Sequence, residues 1–242
     1  MHLSLLIFLR GLFYVLANYF TCKGNILYNF CFLCEKCNYI CFVEEKEISL
    51  YQSVGMIFMR LGIKSITMDN IAKELRVSKK TLYKYVKDKA DLVNKVMQLK
   101  CSTEECLIHD FAKNAGNAID EILMISKYVS AQLQQVNPSL HHDLANYYSD
   151  AFKTFVNHKE NVICAFVEKN LERGIKEGLF RENLNAKVIS RLHIHKIDAL
   201  FDPDIFPPNE ISFLEAHTEM MKYHIRGIAN EKGIKYMKEK LK

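Results

Sequence analysis

The sequence predicts an all-α protein with a small three-helix head in front of a larger helical body. Its 242 residues include only 4 prolines and 9 glycines, the two residue types that most often interrupt helices. Apolar residues make up 49% of the chain and recur at helical spacing in long runs rich in Leu, Ile, Lys and Glu. A chain of this length holds one large domain or two small ones.

The first 42 residues differ in composition from the rest. Residues 2–20 are mostly apolar, and five of the eight cysteines follow within residues 22–41. The last four of these cysteines have the C-x2-C-x2-C-x3-C spacing of iron–sulfur ligands. Phe42 stands where that motif has proline, however, and no second cysteine run follows.

Two other interpretations of residues 1–42 compete with a metal cluster. Residues 3–20 could be a signal sequence or a membrane anchor, but this apolar run of about 18 residues is interrupted by Arg10 and is at the lower limit for a span. No small-residue cleavage site follows cleanly. The abundance of Phe, Tyr, Ile, Leu, Asn, Lys and Cys is also what AT-rich untranslated DNA would encode. We therefore expect an atypical, cysteine-rich extension that is not native or is disordered, with true initiation near Val43.

Three short helical patterns follow and define a head over residues 43–90. The first covers residues 44–61 and ends at Gly62, a typical C-cap. Thr67 and Ser78 each precede a further short apolar stripe and can cap it with a side-chain hydroxyl. Two short helices at a steep angle, the second one basic and polar, are typical of a helix-turn-helix.

The excess positive charge of the chain is concentrated in this head. Residues 62–97 contain nine Lys or Arg and four Asp or Glu, whereas the whole chain has a formal net charge of +5. The remaining residues therefore sum to zero. A compact cationic unit of this kind is the electrostatic signature of a protein that binds nucleic acid.

The same stretch resembles the DNA-binding domain of TetR-type transcriptional regulators over about 45 residues. The resemblance is carried by Phe58-x-x-x-Gly62, Thr67-Met68-x-x-Ile71-Ala72, Val77-Ser78-x-x-Thr81-Leu82-Tyr83-x-Tyr85 and Lys89-x-x-Leu92. Leu75-Arg76 stands where the family has Ala-Gly. If the turn requires a left-handed backbone at Arg76, we expect a strain of about 1 kcal/mol there.

The resemblance implies that the head binds double-stranded DNA. Lysine can donate to guanine acceptors and the threonine methyl can pack on thymine, so the second short helix is expected to read base edges. The residues assigned to base edges are Lys79, Lys80, Thr81 and Tyr85. The residues assigned to phosphates are Thr67, Ser78, Tyr83, Lys84 and Lys89.

The body, residues 91–242, is predicted to contain a succession of longer helices. Their expected bounds are 89–109, 115–136, 138–157, 159–178, 186–201 and 210–230, followed by a basic helical tail over 227–242. By resemblance, a ligand pocket lies among the first four of these helices. Its candidate lining residues are Met124, Tyr128, Tyr147, Tyr148, Phe152 and Phe166.

The last two long helices carry apolar stripes wider than one face of a monomer needs. By resemblance, they pair with the same helices of a second subunit in a four-helix bundle, which gives a homodimer. Four histidines fall on these helices, and no third metal ligand is placed by the sequence. We expect packed or interface histidines at His193, His195, His217 and His224, with no metal and no cofactor.

The function predicted from these features is that of a dimeric, cytoplasmic repressor that binds a near-palindromic operator and responds to an unknown small-molecule effector. An enzyme is the rival class, but the sequence has no nucleophile–base motif, glycine-rich phosphate loop or metal set. A redox or membrane-linked sensor that uses the cysteine-rich segment is the remaining alternative.

Overall fold

The head consists of three helices whose ends are set by the local sequence. The computed structural model describes residues 45–134 and 136–240, so the expectations for residues 1–42 lie outside the described residues. The head helices are α1, Glu45–Leu61, α2, Met68–Glu74, and α3, Lys79–Leu82. Gly62 ends α1 with a φ of 79°, a left-handed conformation that glycine adopts at little cost, as the C-cap prediction requires.

The core of the head is formed by apolar residues at helical spacing. Tyr51 and Val54 of α1, Ile71 of α2 and Leu82 of α3 are each at most 1% exposed. Leu92 at the start of the following helix is also fully buried. Burial of one large aliphatic side chain contributes about 2 kcal/mol, so these few residues can hold three short helices together.

The body continues the all-α architecture that the sequence predicts. Its helices are α4, Lys89–Asn114, α5, Ala118–Leu133, α6, Ser139–Tyr147, α7, Ser149–Asn157, a π-helix, His158–Ile163, α8, Cys164–Lys176, α9, Ala186–Ala199, α10, Phe213–Ile228, and α11, Glu231–Lys240. In the described part of the chain, the only β-type pairing is an isolated bridge between Phe180 and Ala229.

Two helix boundaries in the middle of the body differ from the predicted ones. The helix expected over residues 138–157 is broken at Tyr148, which has φ −135° and ψ 65°. The break predicted after Asn157 is absent, because the chain runs through the π-helix directly into α8. The break at Tyr148 allows α6 to contact the head while α7 packs along α4.

The body core lies where α5, α8, α10 and α11 meet. Phe180 is fully buried in it, and its ring occupies the space that a side chain at Gly174 would need. Arg173 of α8 donates hydrogen bonds to Glu121 at 3.1 Å and to the carbonyl oxygens of Ala112 and Ala115 at 3.0 Å. Because Glu121 is only 3% exposed, its charge needs this partner, and the contact joins α8 to the α4–α5 connection.

Within residues 45–134 and 136–240, no helix is long and apolar enough to span a bilayer.

Candidate nucleic-acid interface

The start of α2 is fixed by a reciprocal cap. The Asn70 backbone N–H donates to Thr67 Oγ1 at 3.2 Å, and the Thr67 N–H donates to Asn70 Oδ1 at 3.1 Å. These bonds satisfy two of the amides that a helix start leaves without partners. The cap predicted at Thr67 is confirmed, whereas the contribution of Asn70 was missed, although Thr-x-x-Asn was a signal available in the sequence.

Ser78 caps the short helix α3 in the same way. Its Oγ accepts a hydrogen bond from the Thr81 N–H at 3.0 Å and lies 2.8 Å from the Thr81 hydroxyl oxygen. Helical bonding weakens after Leu82, where the amides of Lys84 and Tyr85 bond to carbonyls three residues back. The segment is therefore one helical turn with a tight extension, held on the head by the buried side chain of Leu82.

The turn between α2 and α3 has a left-handed backbone at Arg76, a conformation that is unfavourable for a residue other than glycine. Arg76 has a φ of 54°, and it is the non-glycine residue with positive φ in the described chain. Its N–H donates to the Lys73 carbonyl at 3.1 Å, and the following N–H of Val77 donates to Ala72 at 3.0 Å. These bonds hold the turn against a strain of about 1 kcal/mol, as expected for a side chain in place of glycine.

Four of the nine predicted DNA-binding side chains are exposed on or directly after α3. Residues i, i+3 and i+4 share a face of a helical turn, which brings Lys80, Tyr83 and Lys84 together. Lys79, Lys80 and Lys84 are exposed and Tyr83 is 44% exposed, whereas Thr81 and Tyr85 are half-buried. We call Lys79, Lys80, Tyr83 and Lys84 the recognition surface; it presents three cations and a phenol to solvent.

Lys79 has a carboxylate partner on this surface. Its Nζ lies 3.0 Å from Oδ2 of Asp69, which belongs to the first turn of α2. The hydrogen bond to Asp69, followed by the charge of that carboxylate, raises the pKa of Lys79 above its usual value. No local pattern in the sequence indicates this pair, because the two residues lie on different helices.

Lys89 is directed into the protein and not towards the recognition surface. Its Nζ donates to the carbonyl oxygen of Ile63 at 2.6 Å and to that of Ile66. Burial lowers the pKa of this ammonium, although the charge of Asp143 acts in the opposite direction. Lys89 therefore stabilises the loop between α1 and α2.

A buried carboxylate from the body completes the same loop. Asp143 of α6 is 5% exposed, and its Oδ2 accepts hydrogen bonds from the backbone N–H groups of Ile63 at 3.0 Å and Lys64 at 2.8 Å. Beside it, Nζ of Lys64 donates to the Tyr147 hydroxyl at 2.6 Å and lies 4.1 Å from the centre of that ring. Asp143 could not be identified from the sequence, since nothing local relates residues 80 positions apart.

The six residues predicted to line a ligand pocket fall into separate surroundings. Tyr147 is 48% exposed and, together with Tyr148, lies beside the lysines of the head–body junction. The ring centres of Phe152 and His141 lie 5.8 Å apart. The ring centres of Tyr128 and Phe111 lie 6.1 Å apart, and those of Phe166 and His109 lie 4.4 Å apart. Met124 is half-buried on α5, one turn before Tyr128.

A surface depression of about 790 Å³ lies beside α11, away from these six residues. Its lining residues are Arg181, Ala229, Asn230, Glu231, Ile234, Lys235, Lys238 and Glu239. It is open to solvent and carries charges of both signs.

Three of the four histidines on α9 and α10 are packed in the body. His193 and His224 are at most 8% exposed, and their ring centres lie 4.2 Å apart. Burial lowers the pKa of His193 to about 4 and that of His224 to about 3. His217 lies 3.3 Å from the Ser130 hydroxyl, whereas His195 is exposed near Asp198. No group of three metal-ligating side chains occurs among the described residues.

The arrangement of α1, α2 and α3 is that of a helix-turn-helix head. Residues 56–96 match the model of the family described as "Bacterial regulatory proteins, tetR family". The chain is 24% identical over 144 residues to the uncharacterised HTH-type transcriptional regulator YvaF of Bacillus subtilis. The aligned region covers 58% of this chain and 73% of that protein. Residues 56–96 are therefore similar to the DNA-binding segment of tetR-family regulators, and the longer match is to an HTH-type transcriptional regulator.

Solved structures share the fold at low sequence identity. The reduced form of NemR from Escherichia coli matches with a TM-score of 0.64 and 13% identity, over 77% of this chain and 98% of that one. FadR from Bacillus subtilis, solved in complex with stearoyl-CoA, matches with a TM-score of 0.54 and 16% identity, over 75% of this chain and 99% of that one. The all-α architecture with an N-terminal helix-turn-helix head is thus that of known regulators.

Proposed function

We propose that this regulator is a homodimeric, ligand-responsive repressor that binds a near-palindromic operator. The observation that carries the proposal is the recognition surface, where three lysines and Tyr83 are held outward by a buried Leu82. In this proposal residues 43–90 form the DNA-binding domain and residues 91–242 the regulatory and dimerisation domain. A protein acting on chromosomal DNA works in the cytoplasm, where we place it.

We assign the contacts to DNA as follows. Lys79, Lys80, Thr81 and Tyr85 read base edges in the major groove, and Thr67, Ser78, Tyr83 and Lys84 approach phosphates. Lys89 positions the loop before α2 and does not itself reach a phosphate, because its ammonium already bonds to carbonyl oxygens.

The dimer would form through α9 and α10. Val188 and Leu192 on α9 are 49% and 53% exposed, and Tyr223 on α10 is 70% exposed. Large apolar side chains exposed together on neighbouring helices are typical of a subunit interface. A two-fold axis through this bundle would present two recognition surfaces about 34–36 Å apart, the spacing of successive major grooves.

The effector would bind in the body and act through the head–body junction. Met124, Tyr128 and Phe166 remain the candidates for its pocket, since Tyr147 and Tyr148 lie at the junction and Phe152 in another cluster. A ligand that favours one arrangement of the junction would change operator affinity through a coupling of typically about 1–3 kcal/mol. FadR, which shares the fold, was solved with an acyl-CoA and supports a small-molecule effector.

The test measures binding to the DNA upstream of the protein's own gene. One good lysine–guanine contact is worth about 1–3 kcal/mol, so Lys80→Ala is expected to weaken operator binding about tenfold or more. Lys113→Ala is the matched control, because it removes the same charge near the far end of α4, about 36 Å along the helix from Lys89.

Light scattering of both variants should give twice the chain mass of 28.2 kDa. Operator binding that is equal for wild type and Lys80→Ala would refute the assignment of the recognition surface. A mass of one chain at micromolar concentration would refute the dimer. The alternative of a redox or membrane-linked sensor rests on residues outside the described part of the chain, and none of the observations above favours it.

A further inference from the structure

Two exposed ion pairs cross between helices of the head, and they differ in what they hold. Nη2 of Arg60 lies 2.7 Å from Oε2 of Glu74, joining α1 to the end of α2. Nζ of Lys79 lies 3.0 Å from Oδ2 of Asp69, joining the start of α2 to the recognition surface. Only the second pair constrains a side chain that the proposed function assigns to a base edge.

The Asp69–Lys79 pair contributes little to the stability of the fold. Its side chains are 70% and 48% exposed, and pairs this open contribute about 0.2–1 kcal/mol to folding. A carboxylate on a surface that approaches phosphates is repelled by them, so its presence lowers the affinity for any duplex. A residue that weakens binding in general is useful there only if it improves discrimination between sequences.

The chemistry of the ammonium indicates how discrimination arises. Lysine has three N–H donors, and Asp69 takes one, which leaves two for the adjacent O6 and N7 acceptors of a guanine. A phosphate can recruit Lys79 only in competition with the carboxylate. The contact therefore limits the flexible lysine to one region of the groove and weakens its sequence-independent use.

We propose that Asp69 is a specificity-determining positioning residue that acts through Lys79: it holds this cation at a base edge and withholds it from the phosphates of arbitrary DNA. The inference rests on the proposed function, since it requires the recognition surface to enter the major groove. It adds a residue that the family resemblance did not assign to DNA recognition.

The experiment compares Asp69→Asn with Glu74→Gln in the full-length protein. Each variant removes one negative charge from an exposed ion pair of the head, but only the first frees Lys79. The dissociation constant is measured from 50 to 200 mM salt for a duplex selected from a random pool by the wild type and for a scrambled duplex of equal length.

For Asp69→Asn, binding to the scrambled duplex is expected to become about threefold tighter for each head, within the range that an exposed pair allows. The slope of log K against log salt should steepen by about 0.9 for each head, because one more cation neutralises a phosphate. The ratio of selected to scrambled affinity should fall by a similar factor. Glu74→Gln should leave this ratio unchanged, and an equal fall in both variants would overturn the inference.

A double-mutant cycle tests whether Asp69 acts through Lys79. In a Lys79→Gln background, Asp69→Asn should have no further effect on the affinity ratio. A persistent effect would mean that Asp69 contacts DNA directly, and it would overturn the positioning role. Asp69→Glu, which keeps the charge, should retain most of the wild-type ratio.

Failure of this inference is distinguishable from failure of the proposed function. Wild-type protein that binds selected and scrambled duplexes equally would overturn both. Specific wild-type binding with an unchanged ratio in Asp69→Asn would overturn the inference alone.

Discussion

The contact between Asp143 and the head gives a prediction whose magnitude can be worked from the structure. The substitution is Asp143→Ala, which removes the acceptor for the N–H groups of Ile63 and Lys64. A hydrogen bond to a charged group contributes about 1.5–3 kcal/mol, and a buried donor left without a partner costs a similar amount. Because Ile63 is 3% exposed whereas Lys64 is exposed, we expect water to replace only one of the two bonds.

The expected loss is therefore about 3 kcal/mol in the free energy of unfolding. This is a large fraction of the roughly 5–15 kcal/mol that typically stabilises a domain. Asp143→Asn keeps an oxygen acceptor without the charge and should cost about 1 kcal/mol. The assay is urea denaturation followed by circular dichroism, with hydrogen exchange of the Ile63 and Lys64 amides as a local measurement.

Asp150→Ala is the matched control for this experiment. Asp150 lies on α7, its side chain is 81% exposed, and its ion pair with Lys153 is 3.7 Å long. Such a pair contributes at most about 1 kcal/mol. If Asp143→Ala and Asp150→Ala lose the same stability, or if exchange of the two loop amides is unchanged, then Asp143 does not join the body to the head.

Two further predictions concern the body. Gly174→Ala should destabilise by about 3 kcal/mol, since the new Cβ would overlap the buried ring of Phe180, whose Cγ would be only 2.6 Å away. Gly227→Ala, with open space around its Cβ, should be neutral or gain about 0.5 kcal/mol, and equal melting temperatures of the two variants would contradict the packing argument. As the pH falls from about 6.5 to 4, the free energy of unfolding should decrease by about 3 kcal/mol for each of His193 and His224. The reason is that these histidines bind protons in the unfolded chain, whereas the buried rings stay neutral in the folded protein. Urea titrations at pH 7, 6, 5 and 4 measure this loss, and a His224→Phe variant with the same pH dependence as wild type would refute its cause.

The head was largely predictable because its signals are local. Hydroxyl residues at 67 and 78, glycine at 62 and the apolar stripes fix helix ends and the buried faces within a few residues of each other. The left-handed turn at Arg76 could also be anticipated, since the family pattern has glycine at that position. The lysines are exposed because Leu82 is buried in the core of the head, so the polar residues on the other sides of the same helical turn face solvent.

The body was predictable as a set of helices. The six residues chosen for a pocket were selected by residue type, and the structure distributes them over the junction and separate aromatic contacts. The break at Tyr148 has no proline or glycine to mark it. Its conformation reflects packing, because α6 contacts the head and α7 follows α4.

The sequence by itself determined that this protein is helical and that its excess positive charge lies in residues 62–97. Only the tertiary structure decided how those charges are paired: Lys79 lies beside Asp69, and Lys89 is turned inward to the loop that Asp143 also binds. The physical reason is one of range. Helix formation and capping depend on neighbours within about four residues, whereas an ion pair between helices depends on how those helices pack.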